Sequence, residues 1–463
     1  LTVSLIASIA CGGGDSSSGT GDATLLPDGG KAPPPPGPPP DVKTCTTDAD
    51  CAGGKCVDVG SSTKACVRSK SCTGGAGANA TCGGVAGNEN ASGADDCCKA
   101  LALPSGSFNQ FNDPRYTATV SSFILDEFEV TAGRFRAFVE ATNGDLRGHA
   151  PADGAGAHPK VANSGWRSEW NAALPASRTD VDQMLGPEKC QVGANLDDYG
   201  ALTWWTPALD AKVKANNGGK SDVLASNTKD ALDGKALNCV PWQVLMEFCI
   251  WDGGRLPTNA EWGYASAGGG EQREFAWGNV PDAQKAHVFG QPNLSFAPLD
   301  PNGQSIVVAW LWDASAGPNA APPGQSGYVY TWGSRFAAQH DNASHIAPVG
   351  RRVTGNAKWG HADMSGGMYE WTLDEGPIKP GTCTDCANVS WPTPDKFDPN
   401  ALENIPDFEH KWFQGGARSV RGGAWDNALG LSNTQTQDEI DTYTSYPVLR
   451  TYRSLGGRCA RDP

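Results

Sequence analysis

Apolar and polar residues are spread unevenly along the chain. From Phe123 to Val130 the run Phe-Ile-Leu-Asp-Glu-Phe-Glu-Val is rich in aromatic and β-branched residues, which predicts a strand. Thr131 then offers a hydroxyl suited to an N-cap. Phe135, Phe138 and Val139 follow at helical spacing, so a helix with one apolar face is expected. A second helix is predicted over 241–251, where Trp242, Leu245 and Cys249 fall at i, i+3 and i+7. A third follows Pro257, because Thr258-Asn-Ala-Glu261 is a capping box. Trp262 on that helix reads as core, and Arg255 as a buried fork donor to carboxylates or carbonyls. Residues 142–236 show little periodicity and read as a loop insertion with a short helix or two. No repeat at a fixed period is visible.

Composition changes this picture in two ways. The 463 residues include 58 Gly and 33 Pro, and only 39% are apolar, which argues for a loop-rich fold and against a helical bundle. The net charge of −15 makes the chain a poor partner for nucleic acid, whose phosphates need clustered Lys and Arg. No apolar run of about 18 residues follows the N-terminus, so no internal membrane span is expected. All sixteen Trp lie between Trp166 and Trp425, and the region 115–463 is expected to carry the main core.

The first 98 residues divide into three pieces. Leu1 to Ala10 are apolar and small, and Cys11 follows. Residues 1–11 thus resemble the end of a bacterial lipoprotein signal, with Cys11 the lipidated residue. Ser8 stands at the −3 position, where Leu is usual. No initiator Met and no basic stretch precede these residues, so the start reads as truncated or miscalled. Residues 12–44 are a Gly/Ser/Pro-rich linker, a disordered tether that Pro33 to Pro40 extend. Residues 45–98 hold eight cysteines and few large apolar side chains, so disulfides are expected to replace a core there. Their connectivity stays open among roughly a hundred pairings. No CxxC and no His lie in this segment, which argues against a zinc site. The chain is expected to be exported and anchored by lipid, facing the periplasm or the cell surface.

A set of ordered motifs lies within 115–463. They are Phe128-Glu-Val-Thr131; Val240-Pro-Trp242 through Arg255-Leu-Pro-Thr-Asn-Ala-Glu261-Trp262; Phe275-Ala-Trp277-Gly-Asn279; His361-Ala-Asp363 through Glu370-Trp371; Arg418-Ser-Val-Arg421-Gly-Gly-Ala-Trp425; and Gly456-Gly-Arg458-Cys459-Ala-Arg461. In order and spacing this region resembles the formylglycine-generating enzyme, or sulfatase-modifying factor, family. The resemblance implies an α+β, C-type-lectin-like fold with little regular secondary structure, preceded here by the tether and the disulfide-rich segment. It also implies a disulfide between Cys249 and Cys459. Cys190 with Cys239 and Cys383 with Cys386 are then expected to pair. Cys383-Thr-Asp-Cys386 could serve as a redox CxxC, but no helix follows to stabilise a thiolate, which favours a structural disulfide.

The chemistry that the family implies is not matched. Its members oxidise a protein cysteine with two thiols that bind copper(I). Those positions fall on Asn427 and Ser432, and the family's active-site serine falls on Ala424. Asn and Ser are hard, neutral ligands and do not replace thiolates for copper(I), so copper is not expected. The His-x-x-x-His-x-Glu cluster of the related iron enzymes is also missing. The resemblance further implies a structural calcium site on Asp363, Glu370 and the carbonyls of Gly366 and Met368, an oxygen set that suits a hard cation. A second family calcium site reads as lost, because His287 stands at its Asn position. The expected function is a degenerate domain of this family acting as a binding or structural module at the cell envelope. Its partner would be an envelope protein, a peptide or a glycan. The alternative is an oxidoreductase of the family acting on protein cysteine or another substrate.

Overall fold

Strand pairing in this chain is short and many-sided, as its glycine content suggests. The computed structural model describes residues 44–47, 50, 55–58, 64–67, 69–72, 81–82, 95–186, 190, 202–216, 229–282, 285–286, 346, 348–350, 352–375, 381–389, 417–424, 445–447 and 454–462. All of them fall within one unit, Gly37–Pro463. The strands in chain order are β1 (Lys55–Asp58), β2 (Lys64–Val67), β3 (Thr81–Cys82), β4 (Asp95–Asp96), β5 (Ala100–Leu103), β6 (Gly106–Asn109), β7 (Thr117–Val120), β8 (Phe123–Asp126), β9 (Tyr369–Glu375), β10 (Cys383–Thr384), β11 (Ala417–Arg421), β12 (Ser445–Pro447), β13 (Leu455–Gly456) and β14 (Ala460–Arg461). They form a four-stranded sheet β12-β11-β9-β13, two three-stranded sheets β14-β8-β5 and β10-β7-β6, and the pairs β1-β2 and β3-β4.

Among the described residues there are six helices, α1 (Ala132–Ala141), α2 (Arg178–Met184), α3 (Pro207–Asn216), α4 (Lys229–Asp233), α5 (Trp242–Trp251) and α6 (Asn259–Ala267), the last of which packs on β7, β9 and β11. Each predicted helix has a local cause. The Thr131 hydroxyl accepts from the Arg134 N–H at the start of α1. Pro241 precedes α5 with φ fixed near the helical value. Thr258 and Glu261 satisfy each other's backbone N–H groups at the start of α6. Phe135 and Phe138 of α1 meet Phe248 of α5 at 5.8 and 5.9 Å between ring centroids. Trp166, Trp204, Trp242 and Trp371 fill the same core. A second core lies under α6, where Trp262 and Tyr264 meet Phe108 and Val120. Trp262 is fully buried, as its reading as core requires.

Three expectations need correction. The strand predicted over 123–130 ends at Asp126, because β5 and β14 supply partners only for Phe123–Asp126. Beyond it Val130 donates to the Gly457 carbonyl and accepts from the Leu237 N–H. The segment 142–236 holds three helices, α2 to α4, of which α2 and α4 are too short to show a helical period. The folded region also begins before residue 115, since β5 and β6 pair with β8 and β7.

The cysteine-rich stretch is joined to this fold at its C-terminal side. Cys45 pairs with Cys56 and Cys72 with Cys98. Ser71 and Cys72 are buried, and the Ser71 N–H donates to Asp252 at 2.7 Å. Among the described residues no helix is long and apolar enough to cross a membrane.

Candidate functional site

The motif Asp363 to Trp371 enters β9, which lies between β11 and β13. Glu370 is in register with Arg421 on one side and Gly456 on the other. This places its carboxylate inside the protein, fully buried. Arg458, two residues past β13, meets it there. Arg458 Nε and Nη2 donate to the two Glu370 oxygens at 2.6 and 2.7 Å. Nη1 donates to the carbonyls of Asp126 and Glu127, and Nη2 also to Ala362. All five N–H groups of this guanidinium are thereby used.

Two further carboxyls crowd this pair. The Glu129 carboxylate accepts from the Met368 N–H at 2.8 Å. Gly367, at φ 75°, permits that approach, because a Cβ there would lie 2.8 Å from the Glu129 oxygen. Asp363 accepts from the Gly350 N–H at 2.6 Å. Burial, then the charges of Asp363 and Glu370, hold the Glu129 carboxyl well above its ordinary range, against the pull of Arg458. Burial also pushes Asp363 up to about 6; the Gly350 N–H and Arg458 oppose it and Glu370 adds to it.

The two carboxyls assigned to calcium by resemblance, Asp363 and Glu370, therefore have other partners. Both Glu370 oxygens face a guanidinium, which would repel a divalent cation at the same place. Among the described residues no three His, Cys, Asp or Glu side chains converge as a metal-binding group. With Arg458 on both of its oxygens, Glu370 is not free to coordinate a cation in this arrangement.

The opposite wall is the end of β11. The Gly366 N–H donates to the Gly422 carbonyl at 2.8 Å. Gly422 sits at φ 95°, with the Trp262 ring 3.2 Å from where a Cβ would stand. Ala424, at the serine position, is fully buried. Asn427 and Ser432 lie outside the described residues, as do His287 and Cys11. Beneath this wall Arg255 donates to both Glu261 oxygens at 2.6 and 2.7 Å, and to Asp462 at 3.0 and 3.1 Å. Burial raises the Glu261 carboxyl, but Arg255 and His158 outweigh it and bring the net position below the ordinary range.

The cysteines define what this region can do. Cys249 and Cys459, the pair implied by resemblance, are bridged with Cα atoms 5.5 Å apart. Cys190 is bridged to Cys239 and Cys383 to Cys386. These six are all the cysteines beyond residue 98, so the main fold holds no free thiol.

The periodicity of the chain did not reveal the Arg458–Glu370 fork or a second buried network. In that network Arg134 bridges Asp126 and Asp252 at 2.8 and 2.7 Å. Arg461 contacts the same two carboxylates. Both terminal arginines stand in the Gly456-to-Arg461 motif, which was the available signal.

Comparison with known proteins agrees with the motifs. The family model described as the sulfatase-modifying factor enzyme 1-like domain matches residues 87–309 and 308–463. The formylglycine-generating enzyme of Mus musculus is 27% identical over 243 residues, covering 46% of this chain and 57% of that enzyme. The match thus spans little more than half of that relative's length. The formylglycine-generating enzyme of Streptomyces coelicolor is 28% identical over 351 residues, covering 75% of this chain and 81% of that enzyme. A third relative, from Mus musculus, bears the name inactive C-alpha-formylglycine-generating enzyme 2. It is 25% identical over 279 residues, covering 54% of this chain and 79% of that protein.

Proposed function

The chain belongs to the sulfatase-modifying factor enzyme 1-like family, and from that membership we propose that it acts as a binding module without the family's copper chemistry. The observation that carries this reading is the fate of the thiols. Copper(I) selects soft thiolate ligands, and all six cysteines of the main fold are bonded to one another. Asn427 and Ser432 supply only hard, neutral donors at the expected ligand positions. The relative named as inactive supports the same reading, since loss of activity is compatible with this fold. The lectin-like surface of the domain then takes a peptide, a glycan or a partner protein of the cell envelope. Lipidation of Cys11 and the tether of residues 12–44 hold the module at the membrane. Radiolabelled palmitate incorporated into the wild type but not into Cys11→Ser supports that anchor.

At the Asp363–Glu370 segment Arg458 does the work of a cation. It neutralises Glu370, and five donated hydrogen bonds fix its place between β9, β13 and the residues that follow β8. Asp363→Asn is accordingly expected to leave any calcium response of the protein unchanged. The deciding experiment incubates the protein with a Cys-x-Pro-x-Arg peptide and copper(I) and weighs the peptide by mass spectrometry. An unchanged peptide is expected. Conversion of its cysteine to an aldehyde at a catalytic rate would instead establish the oxidoreductase reading.

A further inference from the structure

One turn of α5 buries acceptor oxygens to which no described residue donates. Gln243 and Glu247 are four residues apart and so lie on one face of the helix. Each is only 1% exposed. Among the described residues neither carboxyl oxygen of Glu247 has a hydrogen-bond partner, and neither does the amide oxygen of Gln243. A buried acceptor left without a donor is costly, and more so when it is charged. Native interiors leave few such groups, and each one points to something that satisfies it.

The nearest added charge makes the situation more demanding. Asp145, half-buried in the turn after α1, accepts from the Gly148 N–H at 2.8 Å through one oxygen. Burial, then the negative charge of Asp145, pushes the Glu247 carboxyl up to about 9. No lysine or arginine is paired with either carboxyl in the described network. Two carboxyls and an amide oxygen are hard ligands, of the kind that calcium takes from Asp, Glu and Gln side chains. Thiol and imidazole ligands, which favour softer ions, are not part of this group.

We propose that Gln243, Glu247 and Asp145 form a calcium site, separate from the Asp363–Glu370 segment. The ion satisfies the buried oxygens and balances the two carboxylates, while the half-buried Asp145 leaves a side open for water ligands.

Isothermal titration of the full chain with calcium chloride tests the site. One ion per chain is expected, with a raised melting temperature. Glu247→Gln keeps the side-chain shape and removes the charge. It and Asp145→Asn should each weaken binding roughly tenfold or more, while Asp363→Asn should not. Absence of calcium binding by the wild type, binding unaltered in both Glu247→Gln and Asp145→Asn, or binding abolished by Asp363→Asn overturns the assignment. If Glu247→Gln does not fold, the half-exposed Asp145→Asn variant decides alone.

Discussion

Arg458 spends every N–H group it has inside the protein, and no lysine can reproduce that. The planar fork matches both Glu370 oxygens, while its second edge ties together three carbonyls from two other segments. Arg458→Lys should leave Glu370 buried without its bidentate partner and the carbonyls short of donors. A loss of about 3–5 kcal/mol is expected, measured by urea unfolding of the purified variant. A second residue sets a pH dependence. Burial pushes Asp374 up to about 6, although the Asn259 and Asn388 N–H groups, each at 2.7 Å, oppose it. Between its unfolded value of 3.8 and about 6 the folded chain holds a proton that the unfolded chain has released. The favourable contribution is therefore complete below pH 3.8 and declines as pH rises through 6. Melts between pH 4 and 6.5 should show the wild type losing more stability with rising pH than Asp374→Asn, by on the order of 2 kcal/mol. Equal slopes would mean that Asp374 ionises normally.

At the scale of elements, α6 is held by its entrance. The capping box joins Thr258 and Glu261, and Glu261 is at once the partner of Arg255. One carboxylate thus closes the helix start and fixes the turn before it. Thr258→Ala removes the hydroxyl alone and should cost about 1 kcal/mol. Glu261→Gln also strands a buried guanidinium, so its cost should be about 3–5 kcal/mol. Thermal denaturation of the two variants should rank them in that order. If the two costs are equal, Arg255 has found another partner and the fork is not the main tie. The same logic explains why α1 and α5 stay together. Their aromatic face, Phe135, Phe138, Phe248 and Trp251, is backed by Arg134 reaching Asp252 just past α5.

Over the whole molecule, distant segments converge on one buried place. Asp126 from β8, Asp252 after α5, Arg134 from α1 and Arg461 from β14 make a charge network closed to water. Ser69 and Ser71 of the cysteine-rich stretch add hydrogen bonds to Asp252. The Cys249–Cys459 bridge lies against it, since Asp126 and Cys459 are hydrogen-bonded. This bridge closes a loop of 210 residues, for which the chain-entropy model gives an upper figure of about 5 kcal/mol. The double variant Cys249→Ser with Cys459→Ser should therefore unfold at markedly lower urea concentration, and an unchanged midpoint would show that the charge network alone secures the C-terminus.

The helices α1, α5 and α6 were legible in the chain because their causes are local: a capping hydroxyl, a proline, an apolar face at helical spacing. The lack of thiols at 427 and 432 needed only the residue names. The resemblance, carried by fixed motifs, also led to the Cys249–Cys459 pairing. Strand limits were not legible, because a strand such as β8 ends where its neighbours end, and those neighbours, β5 and β14, lie on either side of it in the chain, with paired residues up to 337 positions away. The fate of Glu370 was likewise hidden. A carboxylate in a glycine-rich turn reads equally well as a ligand of calcium or of arginine, and only the fold brings Arg458, 88 residues later, within 2.6 Å. The same holds for Gln243 and Glu247. Helical spacing puts them on one face, but burial of that face without a donor is decided by what packs over it, which is a property of the tertiary structure alone.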